Sequence, residues 1–484
     1  MIERLISKYN SLSPKLVATF WFVVCAFLQK GISVIFTPVF TRIMSTSEYG
    51  QFNVYSSWND ILSIIFSLKL AQGVYAQGIV KYDKEKDEFS SAIQGLTFVL
   101  IILWFLIYIS FSDYWNSLIN LTTAQMIALF IKIWADEIFQ IWAKRERTEY
   151  RYKLLVAIIL LDAIIRPILG VILVINSEDK VTVRVWEMAL VDFTLYIGLF
   201  IYQIVKGKTM FSKKIWKYAL VFNIPLIPHF LSQVVLNCSD RIMIDNLIDS
   251  TSAGIYGLAY SISLLLNLFI NSFSHAMTPW TFTQIKKKQS HRISKIGELA
   301  LIFLGIANIV FIGLVPEIVW LFAPPQYYEA IWIIPPISIS LLYQFSYYLF
   351  ADIELYSENT KVTSVATMIG ALLNLLLNYI CIKQFGYFAA AYTTLFCYFF
   401  ISILHYFAMR KISNSILHEK PVYDWKRIFG IDFIFTVGAF GLMSIYNYTI
   451  IRIVVIFALL VLIFIKRNTL KTILKEIGVY KQTT

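Results

Sequence analysis

Charged side chains recur at four-residue steps inside long apolar stretches of this chain, a spacing that puts each set on one helical face. Lys132, Asp136 and Gln140 form one such row, and Asp162 and Arg166 another. Lys30 lies midway along the first apolar stretch with no acid on its own helix, and Asp60 sits at similar depth in the second. A charge at that depth is costly and usually faces a protein interior or a water-filled cavity. The chemistry open to Lys30, Arg166 and Lys132 is capture of a phosphate-bearing ligand, because arginine offers phosphate oxygens a planar fork and lysine a compact point charge. A second reading stands beside it. Lys132–Asp136 and Asp162–Arg166 also have the spacing of self-neutralising ion pairs, and Asp60, Asp136, Asp162 and Asp192 could equally form an acidic site. Lys69, nine residues beyond Asp60, falls on the opposite side of a straight helix and near its end, where its stem can snorkel.

Further along, the rows are polar but mostly uncharged: His229, Gln233 and Asn237; Ser263, Asn267, Asn271 and His275; Asn374 and Asn378. Amides can hydrogen-bond sugar hydroxyls or coordinate a small cation, and histidine titrates near neutral pH. The same residue types serve as ordinary interhelical glue, so lining and glue are both open for each residue. Tyr55 and Trp58 are placed either to stack on sugar rings or to pack. Trp115, Trp186, Trp216 and Trp425 lie near the ends of apolar stretches, as interface anchors do.

The elements that must position these residues are membrane spans. Of 484 residues 58% are hydrophobic and only 15% charged, against about 25% charged in soluble domains, and the mean hydropathy is +0.67. Apolar segments fall at about 16–40, 50–76, 90–112, 122–144, 153–175, 185–206 and 216–239. They continue at about 252–282, 297–322, 330–350, 361–380, 386–407, 427–445 and 449–466. Each is near the roughly 20 residues a helix needs to cross a bilayer. The expectation is an all-α polytopic membrane protein of about fourteen transmembrane helices. The first segment is too long for a secretory signal core and should be retained.

With turns numbered alternately, 32 of the 42 Lys and Arg fall on the side of the two termini, six on the other, and four inside spans. That asymmetry makes both termini cytoplasmic. The basic runs 144–153 and 286–292 then face lipid headgroups, and the net charge of +12 is topogenic, with no nucleic-acid partner implied. Cys25, Cys238, Cys381 and Cys397 have no metal-like spacing and read as small buried hydrophobes.

An internal repeat divides the chain. Thr41-Arg42-Ile43-Met44 leading to Tyr49-Gly50 has a counterpart in Asp240-Arg241-Ile242-Met243 leading to Tyr256-Gly257. The spans therefore group as two pseudo-symmetric six-helix bundles, 1–210 and 211–410, with two extra helices and a tail in 411–484. Repeat-built transporters place their substrate path between such halves, with broken helices in corresponding positions. Gly31/Pro38 and Pro225/Pro228 are the expected hinges.

The first span, the TRIMSTSEYGQF elbow, the run FNIPLIPHFLSQVVLNCSDRIMIDNLIDSTSAGIYGLAYSIS and the fourteen-span plan resemble a polysaccharide-repeat-unit flippase. That is the Wzx type within the multidrug/oligosaccharidyl-lipid/polysaccharide exporter superfamily, whose bundles are MATE-like and MurJ-like. The resemblance implies translocation of an undecaprenyl-pyrophosphate-linked oligosaccharide across a bacterial inner membrane by alternating access, for capsule or O-antigen synthesis, and work alongside a polymerase and other polysaccharide-assembly proteins. It implies no cofactor, with coupling to Na⁺ or H⁺. The lipid II flippase relative has a sodium site on its seventh, eleventh and twelfth helices, and Asn374-x-x-x-Asn378 followed by Thr393 or Thr394 is similar to it. Here amides stand where a carboxylate belongs. Coupling would use a cation at Asn374, Asn378 and Thr394, or a proton at His229 or Asp60. Pyrophosphate would fall to Lys30, Arg166 and Lys132, and glycan to Tyr55, Trp58, Asn267, Asn271 and His275.

Enzyme motifs are missing: no Gly-rich phosphate loop, Ser/His/Asp or Cys/His arrangement has the required spacing. Two alternatives remain, a cation-coupled multidrug exporter and a membrane-embedded polysaccharide polymerase or ligase. The latter usually carries a large external loop, and no turn on the sparse side is long enough to hold one.

Overall fold

The computed structural model describes residues 14–357, 360–415, 421–465 and 468. The N-terminal basic residues before position 14, and almost all of the C-terminal tail, lie outside them. Every regular element among the described residues is helical. By internal contacts the chain falls into two compact units, Met1–Leu231 and Ser232–Thr484; the division at 210 drawn above follows the repeat, a different criterion.

The first unit opens with α1 (Pro14–Ile43), which runs unbroken through Gly31 and Pro38. A proline inside a helix removes one backbone donor. Around it, Arg42 Nη1 donates to the Pro38 carbonyl at 2.8 Å and Thr41 Oγ1 to the same oxygen at 3.1 Å. The turn to α2 (Thr46–Ser67) is a capping box: the Glu48 amide donates to Ser45 Oγ at 3.2 Å, and the Ser45 amide to Glu48 Oε2 at 2.7 Å.

The second expected span is not one helix. α2 stops at Ser67, and Leu68 and Lys69 follow with φ of 54° and 48°. Non-glycine residues rarely hold that left-handed conformation unless the surroundings impose it. The chain turns and resumes as α3 (Val74–Lys81). α4 (Lys86–Ser110), the short α5 (Ser112–Ile119) and α6 (Thr123–Thr148) come next, with an 87° bend between α5 and α6. α7 (Lys153–Ile175), α8 (Lys180–Gly207) and α9 (Lys213–Asn223) follow, and the unit ends a few residues into the next helix. α8 is its centre, packed on α2, α4, α6 and α7, while α1 rests mainly on α7.

A 3-10 turn, Ile224–Leu226, leads into α10 (Ile227–Leu247), so the chain breaks just where Pro225 is placed. The second unit continues with α11 (Ser250–Lys286), α12 (Ser290–Gly313), α13 (Val315–Phe322), α14 (Ala330–Tyr356), α15 (Thr360–Phe385), α16 (Ala389–Ser415), α17 (Trp425–Ser444) and α18 (Thr449–Ile465). α14 is the hub, packed on α11, α12, α16 and α17. α12 also approaches α17 closely at a small residue: a Cβ on Gly305 of α12 would lie 2.3 Å from the Phe435 ring of α17.

Among the described residues eleven helical segments are long and apolar enough to cross a membrane, or twelve if the bent α5–α6 pair is one span. The other two of the fourteen expected segments are also helical: α2, too polar to join that group, and α18, which is shorter. The polypeptide is thus an all-helical, multi-pass membrane protein.

Candidate functional site

In the first unit α6, α7 and α8 bring two of the three candidate phosphate ligands to one point. Lys132 Nζ lies 3.0 Å from Asp136 Oδ2 on its own helix and 2.8 Å from Asp192 Oδ2 on α8. Arg166 Nη2 lies 2.7 Å from Asp162 Oδ1 and also binds Asp192 Oδ1. Asp192, whose side chain is fully buried, thus joins two same-helix pairs into one cluster of three carboxylates and two cations. Low dielectric inside a protein makes such a cluster strong when complete and costly when a partner is missing. Lys132 is buried, whereas Arg166 keeps 23% of its side chain accessible. Beside it Arg184 pairs with Glu187 and donates to the Arg166 carbonyl at 3.4 Å. Gly170 leaves room for this, since a Cβ there would lie 2.1 Å from Arg184 Nη1.

Lys30 stands apart from this cluster. It is exposed on α1, and no carboxylate among the described residues forms an ion pair with it. Asp60, on α2, is exposed as well. Lys69 does not snorkel free: its Nζ is 3.9 Å from Glu137 Oε1 on α6, drawn there by the break after Ser67. Tyr55 is wholly buried in a core with Leu62, Phe66 and Phe130, and its hydroxyl has no hydrogen-bond partner among the described residues; Trp58 packs against that core.

In the second unit the amide row meets an acid that the sequence reading did not assign to it. Asp240 of α10 is fully buried. Asn378 Nδ2 donates to its Oδ1 at 2.6 Å, while Tyr256 Oη and Thr394 Oγ1 donate to its Oδ2 at 2.5 Å and 3.0 Å. Asn378 Nδ2 also reaches Asn374 Oδ1 at 3.2 Å, and Thr393 Oγ1 donates to Asn378 Oδ1. The side chains that donate to this carboxylate among the described residues are all neutral. Its neighbour Arg241 is turned away, donating to the Asn237 carbonyl at 2.6 Å with its guanidinium 4.5 Å from the Tyr260 ring centre. One carboxylate, two amides and two hydroxyls from α10, α15 and α16 make an oxygen-rich set of the kind hard cations take. No group of three or more His, Cys, Asp or Glu side chains suited to a metal occurs among the described residues. The signal that could have found Asp240 was the repeat, which sets an acid where the first half has Thr41.

The remaining candidates are spread along helices. Asn267 and Asn271 are half-buried on α11 and His275 is exposed; the Asn267 carbonyl oxygen has no partner among the described residues. His229, near the start of α10, is half-buried, and its Nδ1 has no partner among the described residues. A pair absent from the sequence reading, His405 Nδ1 and Glu354 Oε1, lies fully buried at 2.8 Å between α16 and α14.

Comparison with known proteins gives the chain a family and a fold. The family described as polysaccharide biosynthesis protein matches residues 16–286, more than half of the chain. Among curated proteins, Lsg locus putative protein 1 of Haemophilus influenzae is 23% identical over 208 residues, 40% of this chain and 50% of the relative. The match thus spans half of that relative's length. Among solved structures, the lipid II flippase MurJ in an inward closed conformation superposes with a TM-score of 0.70 at 15% identity, covering 93% of this chain and 99% of that one. An inward-facing multidrug resistance MATE family transporter of the MOP superfamily gives a TM-score of 0.62 at 13% identity, over 81% and 95% of the two chains. At such identities the likeness is one of fold.

Proposed function

This chain belongs to the polysaccharide biosynthesis protein family, and we propose that it flips an undecaprenyl-pyrophosphate-linked oligosaccharide across the bacterial inner membrane for capsule- or O-antigen-type polymer. The headgroup enters from the cytoplasm, where both termini lie, the polyprenyl tail stays in lipid, and alternating access carries the glycan across to a polymerase.

The observation that carries the phosphate assignment is the contrast between Lys30 and the two other cations. Lys132 and Arg166 are already matched by three carboxylates. Lys30 has no such partner among the described residues, on a helix whose apolar window is only 6% buried by the rest of the protein. A cation on that surface is stable only against water or an anion. Lys30 therefore makes the first contact with the pyrophosphate, and the accessible edge of Arg166 the second, with Lys132 holding Asp192. Trp58, Asn267, Asn271 and His275 meet the glycan, with Tyr55 beneath as support. Asp240, Asn374, Asn378 and Thr394 hold the coupling cation, and His229 and Asp60 offer proton sites.

The acid excess of the cluster around Asp192 favours a second reading, a cation-coupled multidrug exporter. One experiment separates them. Lipids extracted from cells lacking the protein are analysed by mass spectrometry for polyprenyl-pyrophosphate oligosaccharide. The expected result is accumulation of complete repeat units on the cytoplasmic side and loss of surface polymer, both reversed by the wild-type gene and not by Lys30→Ala at equal membrane level. Intact surface polymer with no accumulation would turn the assignment to the exporter.

A further inference from the structure

We infer that the groove between the α3–α4 turn and α9 binds the phosphate headgroup of a lipid at the cytoplasmic surface. Its walls carry Lys81 and Lys84 on one side and Lys214 and Lys217 on the other, with Tyr82 and Tyr218 between them, around a cavity of about 1090 Å³. All four lysines are exposed, and none forms an ion pair with a carboxylate among the described residues. Two of them are steered by aromatic faces instead. Lys81 Nζ sits 4.2 Å from the centre of the Tyr218 ring, and Lys214 Nζ 5.5 Å from that of Tyr82. The two rings meet edge to face at 5.8 Å. A ring face orients an ammonium group without neutralising its charge, so all four cations remain available to an anion. Asp83 and Glu85 also line the groove, but Asp83 is engaged at 2.7 Å by Lys86.

The floor is of the opposite character. Val221 is 66% exposed at the apolar side of the groove, beside Phe222. α9 is anchored by buried Ile215 and Ala219, and by Trp216 Nε1 donating to the Ala92 carbonyl at 2.8 Å, so its lysine face is held outward. A ring of unpaired cations beside exposed apolar side chains fits a phosphate ester carried on a hydrocarbon chain. Free phosphate would leave Val221 and Phe222 in water. Two lipids offer that chemistry, an anionic phospholipid of the membrane and the diphosphate lipid named above. The inference takes only its choice of leaflet from the proposed orientation.

The test is lipid binding by the full-length protein in detergent, read by native mass spectrometry, with phosphatidylglycerol and phosphatidylcholine of identical acyl chains as probes. Phosphatidylglycerol should bind in preference, and the combined variant Lys81→Gln, Lys84→Gln, Lys214→Gln, Lys217→Gln should weaken it at least about tenfold. The pair Asp83→Asn and Glu85→Gln should strengthen it, a gain that a damaged fold cannot imitate. Equal binding of the two lipids, or unchanged binding in both variants, overturns the inference, as does displacement by inorganic phosphate at concentrations equal to those of the lipid. Displacement by polyprenyl diphosphate assigns the groove to the transported lipid; persistence of phosphatidylglycerol assigns it to bulk membrane lipid. Either uphold a lipid-phosphate site, and neither readout depends on flipping.

Discussion

Lys132 is a buried cation with a carboxylate on either side, and its neighbourhood explains what a single substitution there would do. Lys132→Met leaves Asp136 and Asp192 facing each other with only Arg166 to offset them. Stripping one partner from a buried cluster of this kind costs about 3–5 kcal/mol. Thermal unfolding of the purified variant in detergent should show that loss, and adding Asp192→Asn should restore a good part of it; two independent additive losses would refute the coupling. Asp240 belongs to a different regime, because its partners are hydroxyls and an amide. Asp240→Asn keeps an acceptor for Tyr256 and Thr394 while removing the charge. The protein should insert and fold, and transport in vesicles should lose its response to an imposed sodium gradient. A variant that still follows the gradient removes Asp240 from coupling. The four-residue spacings were readable from the residues alone, since they depend only on helical geometry. That Asp192 closes the first cluster, and Asp240 the second, was not, because each arrives from a helix distant in sequence.

Between the residue and the fold stands the break after α2. The unsatisfied backbone groups on its two sides are both met by Asn223, the last residue of α9. Its Nδ2 donates to the Leu68 carbonyl at 2.5 Å, and its Oδ1 accepts from the Val74 amide at 2.7 Å. Gly73 is required by the closeness of this clamp, since a Cβ would lie 2.2 Å from Asn223 Oδ1. Asn223→Ala leaves a part-buried carbonyl and a buried amide without partners, the amide at a cost of roughly 1–3 kcal/mol. Amide hydrogen exchange across residues 68–74 should accelerate about tenfold or more, with little change in α4; uniform exchange across both would mean the clamp carries no local stability. From sequence, 50–76 reads as one span because its composition is continuous. Local composition carries no trace of a side chain 150 residues away that rewards a turn. The reverse holds for α1, where Gly31 and Pro38 suggested a hinge and the helix runs on. A proline tolerated within a helix and a proline that breaks one have the same local sequence signature.

At the scale of the whole molecule the charge asymmetry makes the strongest prediction. Lys287→Cys should be labelled by a membrane-impermeant thiol reagent only after the cells are opened, and Glu178→Cys in intact cells. The native cysteines should interfere little, since all four are free and none is exposed. Labelling with the opposite sidedness would overturn the assignment of both termini to the cytoplasm, and with it the direction of flipping. Helical class, membrane residence and the positions of the apolar segments were determined by sequence, because a bilayer demands that each segment satisfy its own backbone and hide its own polar groups. The family resemblance was legible too, in the repeated elbow. Tertiary structure decided what no periodicity contains. It set which charges neutralise each other around Asp192, and it gave the amide row its carboxylate in Asp240. It left Lys30 without an acid among the described residues and brought two lysine pairs around one groove. Those outcomes depend on pairing between helices distant in sequence. A residue's spacing fixes its face on a helix, but packing alone selects the face opposite.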